Sequence, residues 1–522
     1  MIRMDIKRLP IFEEFSADKQ QEYFSVVRDK VIHNIDTLYY CVSLQEDYIP
    51  PVKMPDKPLT EPVLAKLPVT ALIDDLKALR DMPDDPDRDK EFYGFVYRPC
   101  SFAFYRHCLS VQDEYDIFIA ENLPNGNTPR IVVQLRSIGL WTYGDKEAVS
   151  RSFEHLHRLL RAYRIPYDQV RENRIDFAFH TNAIQNMAKY FSDDCLMSNM
   201  CSTLTKYQKV GSISDEITIE YLSLGKRQSN NIFVRFYDKT REVIDMHYKA
   251  AFIQIWRDNE LISEYDKYVL EKAYEWKSWR SGVAIGKIDW YMEYGANDDV
   301  KAELQDLRKK YLVDNANCVE LDKRLSQILP NITKICNIEF QTKRRYYWLQ
   351  RNAIGELPCS VSVDSPYFEI YRILDNRALF LDQLTKHTVR FVKDRSIKVN
   401  DLKGTDFLSW WRRIRACKTP CMSNSDLYRS YQKNADLRRN VKGIVDKVAA
   451  LSTIKHNGNV SGDFSADLAD ALSYINDNDV TQIIGVDENG EVNTDFKYDG
   501  YDIILNRKLR QYSFLFSNDD TI

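Results

Sequence analysis

The segment Phe233-Val-Arg-Phe-Tyr-Asp-Lys239 carries a tyrosine with an arginine two residues before it and a lysine two after. Read as a strand, its side chains alternate, so Phe233, Arg235, Tyr237 and Lys239 share one face and Val234, Phe236 and Asp238 the other. Two cations beside a phenol favour the phenolate. The same cations can hold a phosphate next to the hydroxyl. Those residue types at that spacing suit nucleophilic attack on a phosphodiester.

Two further segments follow the same alternation. In Asn173-Arg-Ile-Asp-Phe-Ala-Phe-His180, residues Arg174, Asp176, Ala178 and His180 point one way and Ile175, Phe177 and Phe179 the other. Asp176 and His180 are candidate ligands for a divalent ion. Four strand residues span roughly 13 Å, so one ion reaches both only if the strand bends or bulges. In Cys336-Asn-Ile-Glu-Phe-Gln-Thr-Lys343, residues Asn337, Glu339, Gln341 and Lys343 share a face opposite Ile338 and Phe340. If the three strands are neighbours in one sheet, they assemble carboxylates, a histidine and a tyrosine, enough for metal-assisted phosphoryl transfer. Taken singly, each is most often just a half-buried strand, and a lone tyrosine between cations is usually a surface residue with solvated neighbours; the functional reading rests on the three occurring together.

The elements that must position these residues can be read from periodicity. Val69–Met82 and Lys146–Tyr163 are amphipathic helices. Strand patterns run over Asp36–Gln45, Glu91–Val111, Glu114–Glu121 and Arg130–Ser137, with a hairpin-type turn at Asn122–Pro129. Ala183–Phe191 reads as a helix, and Glu216–Lys239 as two strands joined by Gly225–Asn231. This order predicts an α+β fold with a mainly antiparallel sheet and helices on one face. The expected organisation is an N-terminal extension (1–35), a catalytic domain (36–245), a helical insertion (246–330) and a strand returning to the catalytic domain (331–350). A helical C-terminal region (351–452) and a linker with a small tail module (453–522) follow.

The chain has 522 residues, 44% hydrophobic and 29% charged, as in soluble globular proteins. No apolar stretch is long enough to span a membrane. The first residues lack the apolar core of a signal peptide, so a cytoplasmic location is expected. Ten cysteines are scattered without a CxxC pair, which predicts free thiols. The net charge of −4 counts against uniform nucleic-acid affinity, yet Gln341–Arg351 and Ser409–Lys418 are basic and aromatic, and a local patch can bind phosphate. The first of these segments, which holds Lys343, Arg344 and Arg345, reads equally as a DNA contact or as a helix burying Tyr347 and Trp348; the second reads as a tryptophan-anchored helix.

His155-Leu156-His157 has the His-hydrophobic-His pattern of many single-strand nickases, but its surroundings have helical periodicity. Residues two apart on a helix point about 200° apart, which predicts solvent-facing histidines and no metal site. Gly225–Asn231 lacks the P-loop pattern, and the spaced Arg/His set of tyrosine recombinases is missing.

Arg174-Ile-Asp176, the turn Gly225-Lys-Arg227-Gln-Ser229 and the strand Arg235-Phe-Tyr237-Asp-Lys239 together resemble the replication initiation factor family. That family comprises initiators of rolling-circle plasmids and relaxases of integrative conjugative elements. Glu339 and the late segment Phe407–Ile414 resemble its further features, and the likeness covers residues 36–420. The resemblance implies a site-specific DNA nickase. Tyr237 would keep the 5′ end as a phosphotyrosine and free a 3′-OH. Asp176 and Glu339, with His180 where the family has a second carboxylate, would hold Mg²⁺ or Mn²⁺. Arg235, Lys239, Arg227, Ser229, Arg174, Lys343, Arg344 and Arg345 would hold phosphate and DNA. A host helicase and a second copy of the chain are the implied partners. About a hundred residues separate Tyr237 from Glu339, which implies a helical insertion.

Overall fold

The computed structural model describes residues 8–44, 68–82, 90–100, 104–111, 114–123, 128–186, 196–198, 221–245, 249–313, 318–347 and 357–421, with short segments beyond 443. The chain divides into two compact units, residues 1–81 with 91–425, and residues 82–90 with 426–522.

The first unit is α+β. Its strands are β1 (Val31–Leu44), β2 (Lys90–Phe92), β3 (Phe95–Pro99), β4 (Tyr105–Val111), β5 (Tyr115–Ala120), β6 (Ile131–Leu135) and β7 (Tyr167–Thr181). A short strand, β8 (Leu196–Ser198), precedes β9 (Tyr221–Leu224), β10 (Ile232–Asp238), β11 (Cys336–Lys343) and β12 (Val389–Phe391). Ten of these form one sheet in the order β2-β3-β4-β5-β6-β1-β7-β11-β10-β9, while β8 pairs with β12. The pairings described are antiparallel throughout.

α1 (Ala17–Phe24) precedes β1, and α2 (Pro68–Asp81), α3 (Ser137–Tyr143) and α4 (Asp145–Ala162) run between the early strands. The chain from β10 to β11 is helical: α5 (Lys239–Asp245), α6 (Ala251–Asp258), α7 (Glu264–Trp276), α8 (Trp279–Tyr294), α9 (Asp298–Val313) and α10 (Cys318–Ile328). A Cβ on Gly282 would stand 2.8 Å from the Ala273 Cα, so this glycine lets α8 close onto α7. After β11 come α11 (Phe368–Asp375), α12 (Arg377–Gln383) and α13 (Ser409–Ala416).

The apolar side chains of β7, β10 and β11 are buried as their alternation requires: Phe177, Phe179, Val234, Phe236, Ile338 and Phe340. Phe236 meets Phe391 at 5.8 Å, and Phe391 packs on Trp410 and Trp411 of α13 at 4.7 and 5.0 Å. Trp411 also donates its indole N–H to the Thr385 carbonyl at 2.9 Å. The tryptophan segment thus anchors the core. Tyr347 is buried against Phe380 and bonded to the Thr342 hydroxyl, so this half of the basic aromatic segment is structural. Trp348 and most of Ala183–Phe191 lie outside the described residues.

β1 begins at Val31, five residues before the strand read from the sequence, and its start pairs along β7. The β1–β7 register shifts between Ile35 and Thr37, leaving Asp36 as an extra residue in a bulge. The histidines of His155-Leu156-His157 do lie on a helix, α4, but only His157 is exposed. His155 stacks on Phe95 at 3.8 Å and pairs with the Tyr115 hydroxyl at 2.8 Å, because that side of α4 packs on the sheet.

The seven cysteines whose side chains are described are free thiols. Among the described residues no helix is long and apolar enough to cross a membrane. The second unit contains α14 (Phe464–Asp477) and a small hairpin of β13 (Gly485–Val486) with β14 (Val492–Asn493). Ser452 donates to Asp467 of α14 at 2.9 Å.

Candidate active site around Tyr237

The strands β7, β11 and β10 are adjacent, and their registers put the polar side chains on one face. Tyr237 stands opposite Asn337, Arg235 opposite Glu339, and Phe233 opposite Gln341. On the other side of β11, Asn337 faces His180, Glu339 faces Ala178, Gln341 faces Asp176 and Lys343 faces Arg174. Three segments far apart in sequence therefore form one polar sheet face, on which Asp176, His180, Asn337, Glu339 and Gln341 are buried while Arg174, Arg235, Tyr237 and Lys343 are partly exposed.

Tyr237 is half-buried at its centre. Its oxygen accepts from the Asn337 amide at 2.7 Å and from the Lys239 ammonium at 3.4 Å, and its hydroxyl donates to Glu339 Oε2 at 3.3 Å. The Arg235 guanidinium lies 5.6 Å and the Lys239 ammonium 5.5 Å from the ring centroid. Both expected cations do flank the tyrosine. They reach it differently, however. The strand ends at Asp238, whose carboxylate accepts from the Thr240 hydroxyl and the Arg241 amide and so caps a helix. Lys239 is the first residue of α5, fully buried, with its ammonium turned back to the ring.

The expectation of a stabilised phenolate does not hold here. Burial pushes the Tyr237 hydroxyl well above its usual pKa; Lys239 pulls it down, but Glu242, Glu339 and Asp36 push it up. The reason is that each cation already has acids. Arg235 is paired with Glu339. Lys239 contacts Glu242 at 2.7 Å and Asp36 at 3.7 Å, and Lys249 reaches Glu242 at 2.5 Å. Although burial opposes it, Lys239 and Lys249 hold the Glu242 carboxyl below its ordinary pKa, and the same two cations lower Asp36. Burial weighs against the Lys239 charge, but Asp36 and Glu242 hold its pKa well above the usual lysine value.

Sequence reasoning did not single out Asp36, Glu242 or Lys249. Asp36 is aimed at Lys239 by the bulge in β1, which has no periodicity signal. No family model matches this chain. No curated protein matches it in sequence either.

Asp176 and Glu339 lie on adjacent strands one diagonal step apart, a separation of about 7–8 Å between such Cα atoms. Arg174 grips both Asp176 oxygens. Burial raises the Glu339 carboxyl to about 7, with Arg235 opposing and Asp176 adding to the rise. His180 stands apart. The β7–β11 register runs without a shift from Arg174 to Thr181, so the bend needed to bring His180 beside Asp176 is not there. Instead the Trp256 indole N–H donates to His180 Nδ1 at 3.1 Å, and the ring stacks on Trp141 at 5.0 Å. Burial lowers the His180 pKa to about 3, with Lys239 adding to the shift, so the ring is neutral.

Among the described residues no three His, Cys, Asp or Glu side chains converge as a metal cage. The donor chemistry nevertheless suits a hard cation. The Gln341 Oε1 atom is buried without a hydrogen-bond partner, directly across from Asp176 and two residues from Glu339. Two carboxylates and an amide oxygen fit Mg²⁺ or Mn²⁺.

The remaining candidates form the rim. Gly225 opens the turn between β9 and β10 with φ 84°, a left-handed conformation glycine adopts freely. Arg227 and Ser229 of that turn are exposed. Lys343 ties the turn to β11 by donating to the Gln228 carbonyl at 2.6 Å. Burial, and then Arg174, lowers the Lys343 pKa. Arg344 is half-buried and Arg345 exposed, both just beyond β11.

Proposed function

We propose that this chain is a site-specific, tyrosine-dependent DNA nickase of the rolling-circle initiator or relaxase kind. The observation that carries the reading is Tyr237, half-open on a polar sheet face, with its oxygen bonded by Asn337 and Lys239 and its proton directed at Glu339. In the reaction the Tyr237 oxygen bonds to phosphorus and the P–O3′ bond breaks. The tyrosine proton passes to Glu339 Oε2, the departing 3′-oxygen gains a proton from solvent, and the 5′ phosphate remains on Tyr237. Lys239 steadies the negative charge that develops on the tyrosine oxygen, and Asn337 orients that oxygen toward phosphorus. Arg235, Arg174 and Lys343 lie on the same face and supply cations for the flanking phosphates. Asp176, Gln341 and the Glu339 oxygen now paired with Arg235 would hold Mg²⁺ or Mn²⁺, which when bound would supply charge neutralisation for the phosphate. Arg227, Ser229, Arg344 and Arg345 extend the DNA contact along the rim. A host helicase that opens the nicked strand and a second copy of the chain complete the proposed partners.

A second reading, a DNA-binding replication protein without nicking activity, draws on one observation: both carboxylates are already gripped by arginines. One assay separates the two. The full chain is incubated with supercoiled DNA carrying its cognate origin and Mn²⁺, and a covalent protein–DNA adduct is sought. An adduct that disappears in Tyr237→Phe supports nicking through this residue. Specific binding without any adduct supports the second reading, and nicking that survives Tyr237→Phe removes the tyrosine mechanism.

A further inference from the structure

A cavity of about 540 Å³ lies on the other side of the strand ends from Tyr237. Asp238 and Cys336 reach its wall, and each alternates with a site residue, Tyr237 and Asn337, so they point to the opposite face. The rest of the wall comes from α8, α10 and the chain entering β11. It is a separate space from the site above, and its volume is typical of small-molecule pockets.

The charge of the lining is biased. Arg280, Lys287 and Lys334 face it, against Asp238 and Asp322. Asp238 is engaged in capping α5. Arg280 meets Asp322 at 3.1 Å with both side chains nearly half exposed, a weak pair that an anion can replace. Lys287 is buried, and its ammonium donates to Asn331 Oδ1 at 3.0 Å. Lys334 is half-buried at the cavity wall, where its backbone N–H donates to Gln185 Oε1 at 3.0 Å. A buried lysine facing a cavity with surplus positive charge favours an anion.

The anion is larger than phosphate. Trp279 offers a half-buried indole at the start of α8, and Val283, Leu325 and Ile332 form an aliphatic wall beside it. Asn331 sits between that wall and Lys287. An indole and aliphatic surface takes a flat ring, an amide takes its polar edge, and the lysines take a phosphate. We propose that this cavity binds one nucleoside 5′-phosphate, with the base against Trp279 and the phosphate at Lys287 and Lys334. The proposal stands on this cavity and does not need Tyr237 to be a nucleophile.

The test is calorimetric titration of the full chain with each deoxynucleoside 5′-monophosphate, with inorganic phosphate, with the free nucleosides, and with a 5′-phosphorylated pentanucleotide. At least one mononucleotide should saturate a single site at submillimolar concentration, tenfold tighter than phosphate or nucleoside. Lys287→Met and Val283→Trp should each weaken it tenfold or more, while Tyr237→Phe and Arg174→Gln leave it unchanged. Lys334→Met, at a partly exposed position, gives the same direction should the buried variants fail to fold. Equal binding of the pentanucleotide in a Lys287-dependent way assigns a DNA end as the source; binding of the mononucleotide alone assigns a free nucleotide. No saturation of any mononucleotide up to about 1 mM, a Kd range worth under about 4 kcal/mol, overturns the proposal. So does phosphate binding as tightly as the nucleotide, or loss of binding in Arg174→Gln with Lys287→Met silent.

Discussion

Tyr237 and Asn337 lie directly opposite one another on β10 and β11, and the Asn337 amide donates to the tyrosine oxygen at 2.7 Å. The Asn337 side chain is otherwise poorly used: its Oδ1 atom is buried with no hydrogen-bond partner. An amide kept at such a cost in desolvation is explained by what it does to Tyr237.

Asn337→Leu separates that role from packing. It keeps the volume and removes an unsatisfied oxygen, so stability should change by less than about 1 kcal/mol. Covalent adduct formation with cognate DNA should fall about tenfold or more, equivalent to about 1.4 kcal/mol of lost orientation and charge stabilisation. Urea denaturation and single-turnover adduct assays on the same preparation check both halves. An unchanged adduct rate would remove Asn337 from the site.

Lys239 should be the most costly polar substitution around the site. Its ammonium is the shared partner of Asp36 and Glu242. Lys239→Met leaves buried Asp36 and half-buried Glu242 with Lys249 alone, and breaking such a cluster from one side costs about 3–5 kcal/mol. Adding Glu242→Gln should return part of that loss, because the orphaned charge goes with it. Both Asp36 and Glu242 have depressed pKa values in the fold. Their contribution is therefore complete above the ordinary carboxylate range and drains away as pH falls through it. The Lys239→Met penalty, read from urea midpoints, should accordingly be larger at pH 7 than at pH 3. A penalty independent of pH would contradict the charge network.

The limits of the sequence follow from these residues. Alternation within β7, β10 and β11 was enough to sort polar from apolar side chains, because a strand's period is local. That Tyr237 faces Asn337 across β10 and β11 depends on pairing segments a hundred residues apart, with α5 to α10 between them. Periodicity carries no register. Asp36 was invisible because a bulge breaks the rule that made the other strands legible. Lys239 was placed on the correct side for a different reason: helix capping by Asp238 ended the strand one residue early, and a long flexible side chain made up the difference. His180 had the right face but sits four straight residues from Asp176.

Divalent-ion binding should compete with the arginines. Asp176 is held by Arg174 on both oxygens, and Glu339 by Arg235. In the absence of DNA, Arg174→Gln frees the Asp176 oxygens and should tighten Mn²⁺ binding several-fold, about 1 kcal/mol. Asp176→Asn and Glu339→Gln should each weaken it, and His180→Gln should leave it unchanged. Electron paramagnetic resonance of free Mn²⁺ reads all four variants. Chelation of the metal should also stop adduct formation by the wild type. If His180→Gln alone abolished Mn²⁺ binding, the all-oxygen ligand set would be wrong.

The last prediction concerns acid stability. His33, on the buried face of β1, donates from Nδ1 to the Ala178 carbonyl at 2.9 Å and stacks on Phe179 at 4.6 Å. Burial lowers its pKa to about 3, with the Ala178 carbonyl opposing the shift and Arg377 adding to it. In the unfolded chain the ring titrates near 6.5. A depressed histidine contributes fully to stability above that unfolded value and loses its contribution as pH falls from about 6.5 toward 3. Over that window His33 alone should add one proton to the difference between unfolded and folded states, a slope of about 1.4 kcal/mol per pH unit. His33→Phe keeps a ring against Phe179 and removes the proton, so it should flatten the pH dependence of the urea midpoint between pH 4 and 6 by that amount while costing about 1 kcal/mol for the lost hydrogen bond at pH 7. An unchanged slope would mean that His33 is reached by water and protons before the fold opens.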